Sequence, residues 1–206
     1  MFVFNMQFFI ACLILAVVPG VGVAICASAG VTGSKIRLFA ATLGCVLCVV
    51  PYLIANVLGA SQWLYQNPIC LDIIKLISGV YLFVFAIYII KSWDINKNNL
   101  ANSSESFLKI LNSAFKANFL NPKIIVFSFA ITPDFINSAS GATDVIELCL
   151  LFSIIIFIVW YCYGYVTLSY KKYIVEHSIT TNYIICLFAF FEILFSVKIV
   201  SDVFFE

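Results

Sequence analysis

The chain has 206 residues, of which 64% are apolar and only 10% charged, with a formal net charge of +1. Soluble domains run at roughly half apolar and about a quarter charged, so a water-facing surface cannot be assembled from this inventory. The near-neutral balance also argues against nucleic acid or a polyacidic partner.

The composition suits an all-α polytopic membrane protein of about six transmembrane helices, because each crossing of a hydrocarbon layer about 30 Å thick needs about 20 apolar residues. In chain order the apolar runs cover residues 2–25, 38–58, 73–90, 110–136, 145–168 and 183–203. Ala27, Ser28 and Ala29 follow the first run like a signal-peptide cleavage site, but residues 1–34 contain no Lys or Arg. A signal peptide carries a basic leader and a shorter apolar core, so this run reads as a retained helix. The fourth run is uniformly apolar only over residues 124–131, which predicts a discontinuous helix or one approached by an amphipathic segment at 107–119. No region alternates strictly enough for a transmembrane barrel.

Orientation follows from the loops. Of the eleven cations, Lys35, Arg37, Lys91, Lys97, Lys109, Lys116, Lys171 and Lys172 fall in alternate connections, and Lys75, Lys123 and Lys198 sit at or within spans. The intervening stretches 60–72, 132–147 and 199–206 hold none. Cationic loops stay on the cytoplasmic side, which predicts both termini outside. Trp63 and Tyr65 at one face and Trp93 at the other are candidate interfacial anchors.

A polar loop at about 94–106 divides one transmembrane domain into halves of about 1–93 and 107–206. An odd number of helices per half inverts one half relative to the other. Each half opens on a helix with a proline interruption: Pro19 with Gly20 and Gly22 in the first, Asn121 with Pro122 in the second. Inverted repeats with broken helices are the build of transporters that bind solute near the bilayer midplane. Proline donates no amide hydrogen, so Pro19 should free the carbonyl of Leu15 and Pro122 that of Asn118. Asn121 followed by Pro122 reads as a helix cap with proline at the first helical position. Such a start would offer its amides and positive dipole end to a carboxylate.

The tract Asn118, Phe119, Leu120, Asn121, Pro122, Lys123, followed by an aromatic-rich helix and by Pro133 and Phe135, resembles the fourth-helix signature of the LysE/RhtB translocators. Pro19 and Gly20 fall where that family has a Pro-Gly-Pro motif, with Val21 at its second proline. Lys75, Ser78, Gly79, Tyr81, Leu82 and Ala86 are similar to its third-helix pattern, with Ser78 and Ala86 at positions usually glycine. The resemblance covers residues 1 to about 136. It implies a bacterial inner-membrane exporter of a small amino acid or related metabolite, driven by proton antiport. Pro19, Gly20, Asn118, Asn121, Pro122 and Lys123 become candidate substrate-binding residues. No cofactor is required, and a homo-oligomer is compatible with the pattern.

Two charged side chains inside spans have two readings each. Glu192 lies mid-span among Phe190, Phe191, Ile193 and Leu194. It is either the proton-coupling group or a structural partner of Lys198 or of a polar backbone group. Lys123 either binds a substrate carboxylate or snorkels to the inner interface. Asp72 and Lys75 form at most a surface pair. Trp160, Tyr161, Tyr163 and Tyr165 line a cavity or form the inner aromatic belt.

A competing class is a thiol-disulfide electron carrier using Cys45 and Cys48, whose C-x-x-C spacing puts both sulfurs on one helical face. Such a carrier needs a partner cysteine on an opposing helix, and residues 71–148 contain none. Apolar filling suits Cys12, Cys26, Cys70, Cys149, Cys162 and Cys186, which are scattered singly. His177 is the single histidine, and no metal-ligand cluster accompanies it. Phosphate-loop, nucleophile-elbow and zinc-protease motifs are absent from the sequence, which gives no sign of an enzyme. A non-transporting membrane protein gives no reason for two broken helices.

Overall fold

In lipid a backbone amide finds no water, so apolar segments close their hydrogen bonds internally as helices. The computed structural model describes residues 6–32, 34–96, 105–131, 142–176 and 178–205, and every element within them is helical. In chain order these are α1 (Met6–Val17), α2 (Val21–Val31), α3 (Lys35–Leu47), α4 (Val49–Val57), α5 (Ala60–Gln66) and α6 (Pro68–Asn96). There follow α7 (Phe107–Phe119), α8 (Pro122–Val126), a π-helix (Phe127–Ile131), α9 (Ala142–Ser169), α10 (Lys171–Glu176) and α11 (Ser178–Phe205). Pro133, Phe135, His177 and Lys97 lie outside the described residues.

The predicted breaks are present. α1 and α2 form a pair bent by 52° across Val18, Pro19 and Gly20. The first apolar run therefore continues to Val31 rather than stopping near residue 25. The fourth run divides into α7, α8 and the π-helix, with the division at Leu120 and Asn121. A milder seam at Cys48 separates α3 from α4, where Pro51 withholds the amide that would bond Leu47. The short helices α5 and α10 had no sequence signature in the loops that hold them.

Small residues set the packing, as expected where lipid supplies no hydrophobic drive between helices. α2 packs on α9, α3 on α7 and α6 on α11. A Cβ on Gly30 would lie 2.0 Å from the Gly164 carbonyl oxygen, and one on Gly44 would lie 2.2 Å from that of Leu111. On the third pair the Ser196 hydroxyl donates to the Gly79 carbonyl at 2.8 Å. In the core Phe127 stacks on Phe152 with ring centroids 4.4 Å apart, and Phe8 meets Phe127 at a tilt of 45° with centroids 5.7 Å apart. The outer faces are apolar: Ile14, Ile54, Ile77, Ile154 and Leu194 are all exposed. That surface is suited to lipid.

Among the described residues, three helical stretches, Lys35–Val57, Pro68–Tyr88 and Ala142–Ser169, are long and apolar enough to cross a membrane, and the bent α1–α2 pair makes up to a fourth. The chain is thus an all-α membrane protein.

Candidate functional site

The bend at Pro19 exposes a run of backbone carbonyls, and each one from Ala16 to Pro19 is met by a side chain from a distant helix. Trp160 Nε1 donates to Ala16 at 3.1 Å and the Tyr163 hydroxyl to Val17 at 2.9 Å. Lys123 Nζ donates to Val18 at 3.4 Å and to Pro19 at 2.8 Å. Helical bonding resumes at Gly20, whose carbonyl accepts from Ala24 at 2.8 Å. An unsatisfied carbonyl in hydrocarbon costs several kcal/mol, so this break persists only because α8 and α9 reach across to it.

The Lys123 ammonium is also 2.8 Å from Glu192 Oε1, with side chains 4% and 0% exposed. Its three hydrogens are therefore matched by two carbonyls and one carboxylate. The Phe195 ring lies 5.2 Å beneath it. Glu192 Oε2 is the buried side-chain oxygen or nitrogen left without a hydrogen-bond partner among the described residues. Gly20 gives this pair its room: a Cβ there would sit 2.7 Å from Glu192 Oε1 and 2.9 Å from Lys123 Nζ. Gly22 similarly makes space for the Trp160 ring, which a Cβ would meet at 2.5 Å.

The second break is held from within. Asn121 caps α8 by accepting from the Lys123 amide at 3.1 Å, and Pro122 occupies the first helical position. Asn121 donates to Asn118 Oδ1 at 2.7 Å, and Asn118 Nδ2 reaches the Cys45 carbonyl at 2.8 Å and Cys48 Sγ at 3.3 Å. The Tyr52 hydroxyl donates to the Phe119 carbonyl. Beyond α8, Asn56 Nδ2 donates to Ser128 in the π-helix at 2.9 Å while accepting from the Ser61 hydroxyl.

Several sequence readings are corrected by this geometry. Lys123 does not snorkel: it is 3% exposed and faces the pair formed by Pro19 and Glu192. Lys198 is not the partner of Glu192, since it pairs one turn along α11 with Asp202 at 2.8 Å. The Asn118 carbonyl is not released, because the Asn121 amide bonds it at 3.0 Å. The start of α8 has no amides to offer a carboxylate: those of Ile124 and Ile125 bond the Asn121 carbonyl at 3.0 and 3.2 Å, and Pro122 has none. Trp160, which is buried, and Tyr163 each bond a carbonyl of the broken α1, a role that neither the belt nor the cavity reading included.

Pro19, Gly20, Lys123 and Glu192 thus meet at one point, and Asn118, Asn121 and Pro122 form the scaffold that delivers Lys123 to it. The LysE type translocator family matches residues 13–202. The chain belongs to that family. Comparison with curated proteins and with solved structures returns no significant match. Both elements of the translocator's central pair, the Asn-Pro-Lys tract and Glu192, fall within the matched span. Cys45 and Cys48 are free thiols inside the translocator, and Asn118 bonds both residues, so the C-x-x-C serves as a seat for the amide. Sequence reasoning missed the bonds of Trp160 and Tyr163 to α1 and the part played by Asn56. Asn56 carried a signal, since a polar side chain within an apolar span requires partners.

Proposed function

We propose that this translocator exports a small amino acid or related metabolite across the bacterial inner membrane in exchange for protons. It does so from six crossing segments, as inverted halves 1–93 and 107–206 with both termini outside. The observation that carries this reading is the buried Lys123–Glu192 pair set against the carbonyls released at Pro19. A buried ion pair is weak evidence of stability, because apolar replacements of both partners are often as stable. Its presence in a membrane span therefore points to work done on a solute.

The pair mirrors the charges of a zwitterion. Lys123 supplies a cation for the substrate carboxylate, and Glu192 with the Val18 and Pro19 carbonyls supplies acceptors for the substrate ammonium. Insertion of a zwitterion between them replaces one ion pair by two, so no charge is left unpaired in a medium of low dielectric. A proton entering from outside neutralises Glu192, weakens its hold on the ammonium and releases the substrate outward. The protonated carboxyl then gives its proton to the cytoplasm and the pair re-forms. Gly20 allows the close approach this requires, and the 52° bend at Pro19 supplies the hinge.

Proteoliposomes loaded with a panel of amino acids test the reading. Wild type should release at least one faster under an inward proton gradient, and Lys123→Gln and Glu192→Gln should both lose gradient-driven release. Efflux by either variant at the wild-type rate, with the same response to the gradient, would refute it.

A further inference from the structure

The hydrogen bonds that close the two breaks repeat across the halves. In an unbroken helix the Val17 carbonyl would accept from the Val21 amide and the Phe119 carbonyl from the Lys123 amide. Extended backbone at Gly20 interrupts the first of these, and the Lys123 amide turns instead to the Asn121 side chain at 3.1 Å. A tyrosine from the other half takes each released carbonyl: Tyr163 on α9 donates to Val17 at 2.9 Å, and Tyr52 on α4 donates to Phe119. The packing around them corresponds as well, since α2, the continuation of α1, lies on α9, and α3, which leads into α4, lies on α7. The two bonds approach from opposite faces of the membrane. Tyr163 stands near the end of the stretch Ala142–Ser169, ahead of Lys171, whose ammonium reaches the Thr32 carbonyl at 3.2 Å close to Lys35. Tyr52 stands near the far end of the stretch Lys35–Val57, which Lys35 opens.

We propose that Tyr163 and Tyr52 are positioning residues for transport, a pair of latches that release in turn: Tyr163 closes the path from the cytoplasm to the central pair, and Tyr52 the path from outside. The assignment rests on the transport reading above and extends it to the residues that set which face the central pair meets; the basic face, with Lys35 and Lys171, is the cytoplasmic one. Each bond ties the end of a broken helix to the flank of a helix in the other half, so its loss frees that segment to swing at its proline. A released carbonyl in hydrocarbon needs a new partner, and water admitted from the opening side supplies it. Release of both at once would leave a continuous wet path, so one bond holds while the other opens. The ring stays seated when the hydroxyl lets go: Tyr52 stacks on Phe119 with centroids 5.2 Å apart and meets Phe129 edge-on at 5.5 Å. Two buried thiols, each 0% exposed, stand behind the latches. The carbonyl of Cys26 would lie 2.7 Å from a Cβ on Gly164, the neighbour of Tyr163. Cys48 is one turn before Tyr52, and Asn118, the neighbour of Phe119, donates to its sulfur at 3.3 Å.

Tyr163→Phe and Tyr52→Phe each delete one hydroxyl and keep the ring. In full-length protein in detergent, with no amino acid present, N-ethylmaleimide should modify Cys26 about two- to tenfold faster in Tyr163→Phe than in wild type, the worth of one hydrogen bond in the open population. Cys48 should gain by a similar factor in Tyr52→Phe, and each variant should leave the other thiol near its wild-type rate, read site by site by peptide mass spectrometry. Right-side-out and inverted membrane vesicles give the second reading, with whichever of alanine, threonine, leucine and lysine wild type carries fastest. Its half-saturating concentration should fall by the same factor at the cytoplasmic face in Tyr163→Phe and at the outer face in Tyr52→Phe, because apparent affinity follows the fraction open to that face. Hydroxyls with a merely structural role would loosen both thiols together or move both faces alike, and either result overturns the latches. Labelling or half-saturation left at the wild-type value in both variants overturns them too. Labelling that divides as expected while wild type carries none of the four amino acids supports the latches and counts against the amino-acid reading of the central pair.

Discussion

Replacing Lys123 by Met separates stability from transport. The side chain is similar in length and lacks the charge, so Glu192 is left with no ionic partner and the Val18 and Pro19 carbonyls lose their donor. Breaking a buried pair on one side costs about 3–5 kcal/mol. For a chain of this length each kcal/mol moves the unfolding midpoint by about 2–4 °C, giving a fall of about 6–20 °C. The double variant Lys123→Met/Glu192→Leu removes both charges and should recover most of that loss, leaving chiefly the carbonyls at Pro19 unsatisfied. Transport should stay absent in both. Thermal unfolding in detergent, followed by intrinsic fluorescence, provides the stability readings, and vesicle efflux the activity. A single variant as stable as wild type, or a double variant that still exports, refutes the assignment of the pair to solute handling.

Other substitutions probe the supports of the site. Gly20→Ala places a methyl against both charged groups and should suppress transport while costing about 1–3 kcal/mol, read from efflux and unfolding together. Trp160→Phe leaves the Ala16 carbonyl without its donor and should lower stability by about 1–3 kcal/mol. Cys45→Ser/Cys48→Ser should retain efflux, since the Cys45 contact with Asn118 uses a backbone carbonyl; loss of transport reversed by a thiol reductant in wild type would favour thiol chemistry. Hydrogen bonding and charge from Lys109, with a smaller effect from Arg37, hold the Glu105 carboxyl below the usual carboxylate range. Glu105 therefore stays charged where ordinary carboxylates protonate, and its contribution is lost only as pH falls through the lowered value. The difference in unfolding midpoint between wild type and Glu105→Gln should accordingly stay constant from neutral pH to about 5, read by intrinsic fluorescence in detergent across that range.

Much of the framework was legible because its causes are local. A proline's missing amide breaks a helix wherever it stands, so both interruptions could be placed from Pro19 and Pro122. The Asn121 cap and its proline follow from two adjacent residues. What closes the first break was not legible, because Trp160, Tyr163 and Lys123 come to α1 from over a hundred positions away. No spacing rule links such residues. Snorkelling was one of two readings for Lys123, because the residue stands close to the inner interface in sequence, yet the fold turns its side chain inward against α1. The amides of α8 were expected to face a solute, but the Asn121 side chain and carbonyl consume them.

The lumenal pH of vesicles loaded with a transported amino acid tests the coupling of Glu192 to solute most directly. Outward movement of the amino acid through wild type should acidify the lumen in proportion to efflux, and Glu192→Gln should abolish that acidification. Efflux with no change in lumenal pH, or acidification undiminished in Glu192→Gln, would contradict proton exchange at the central pair.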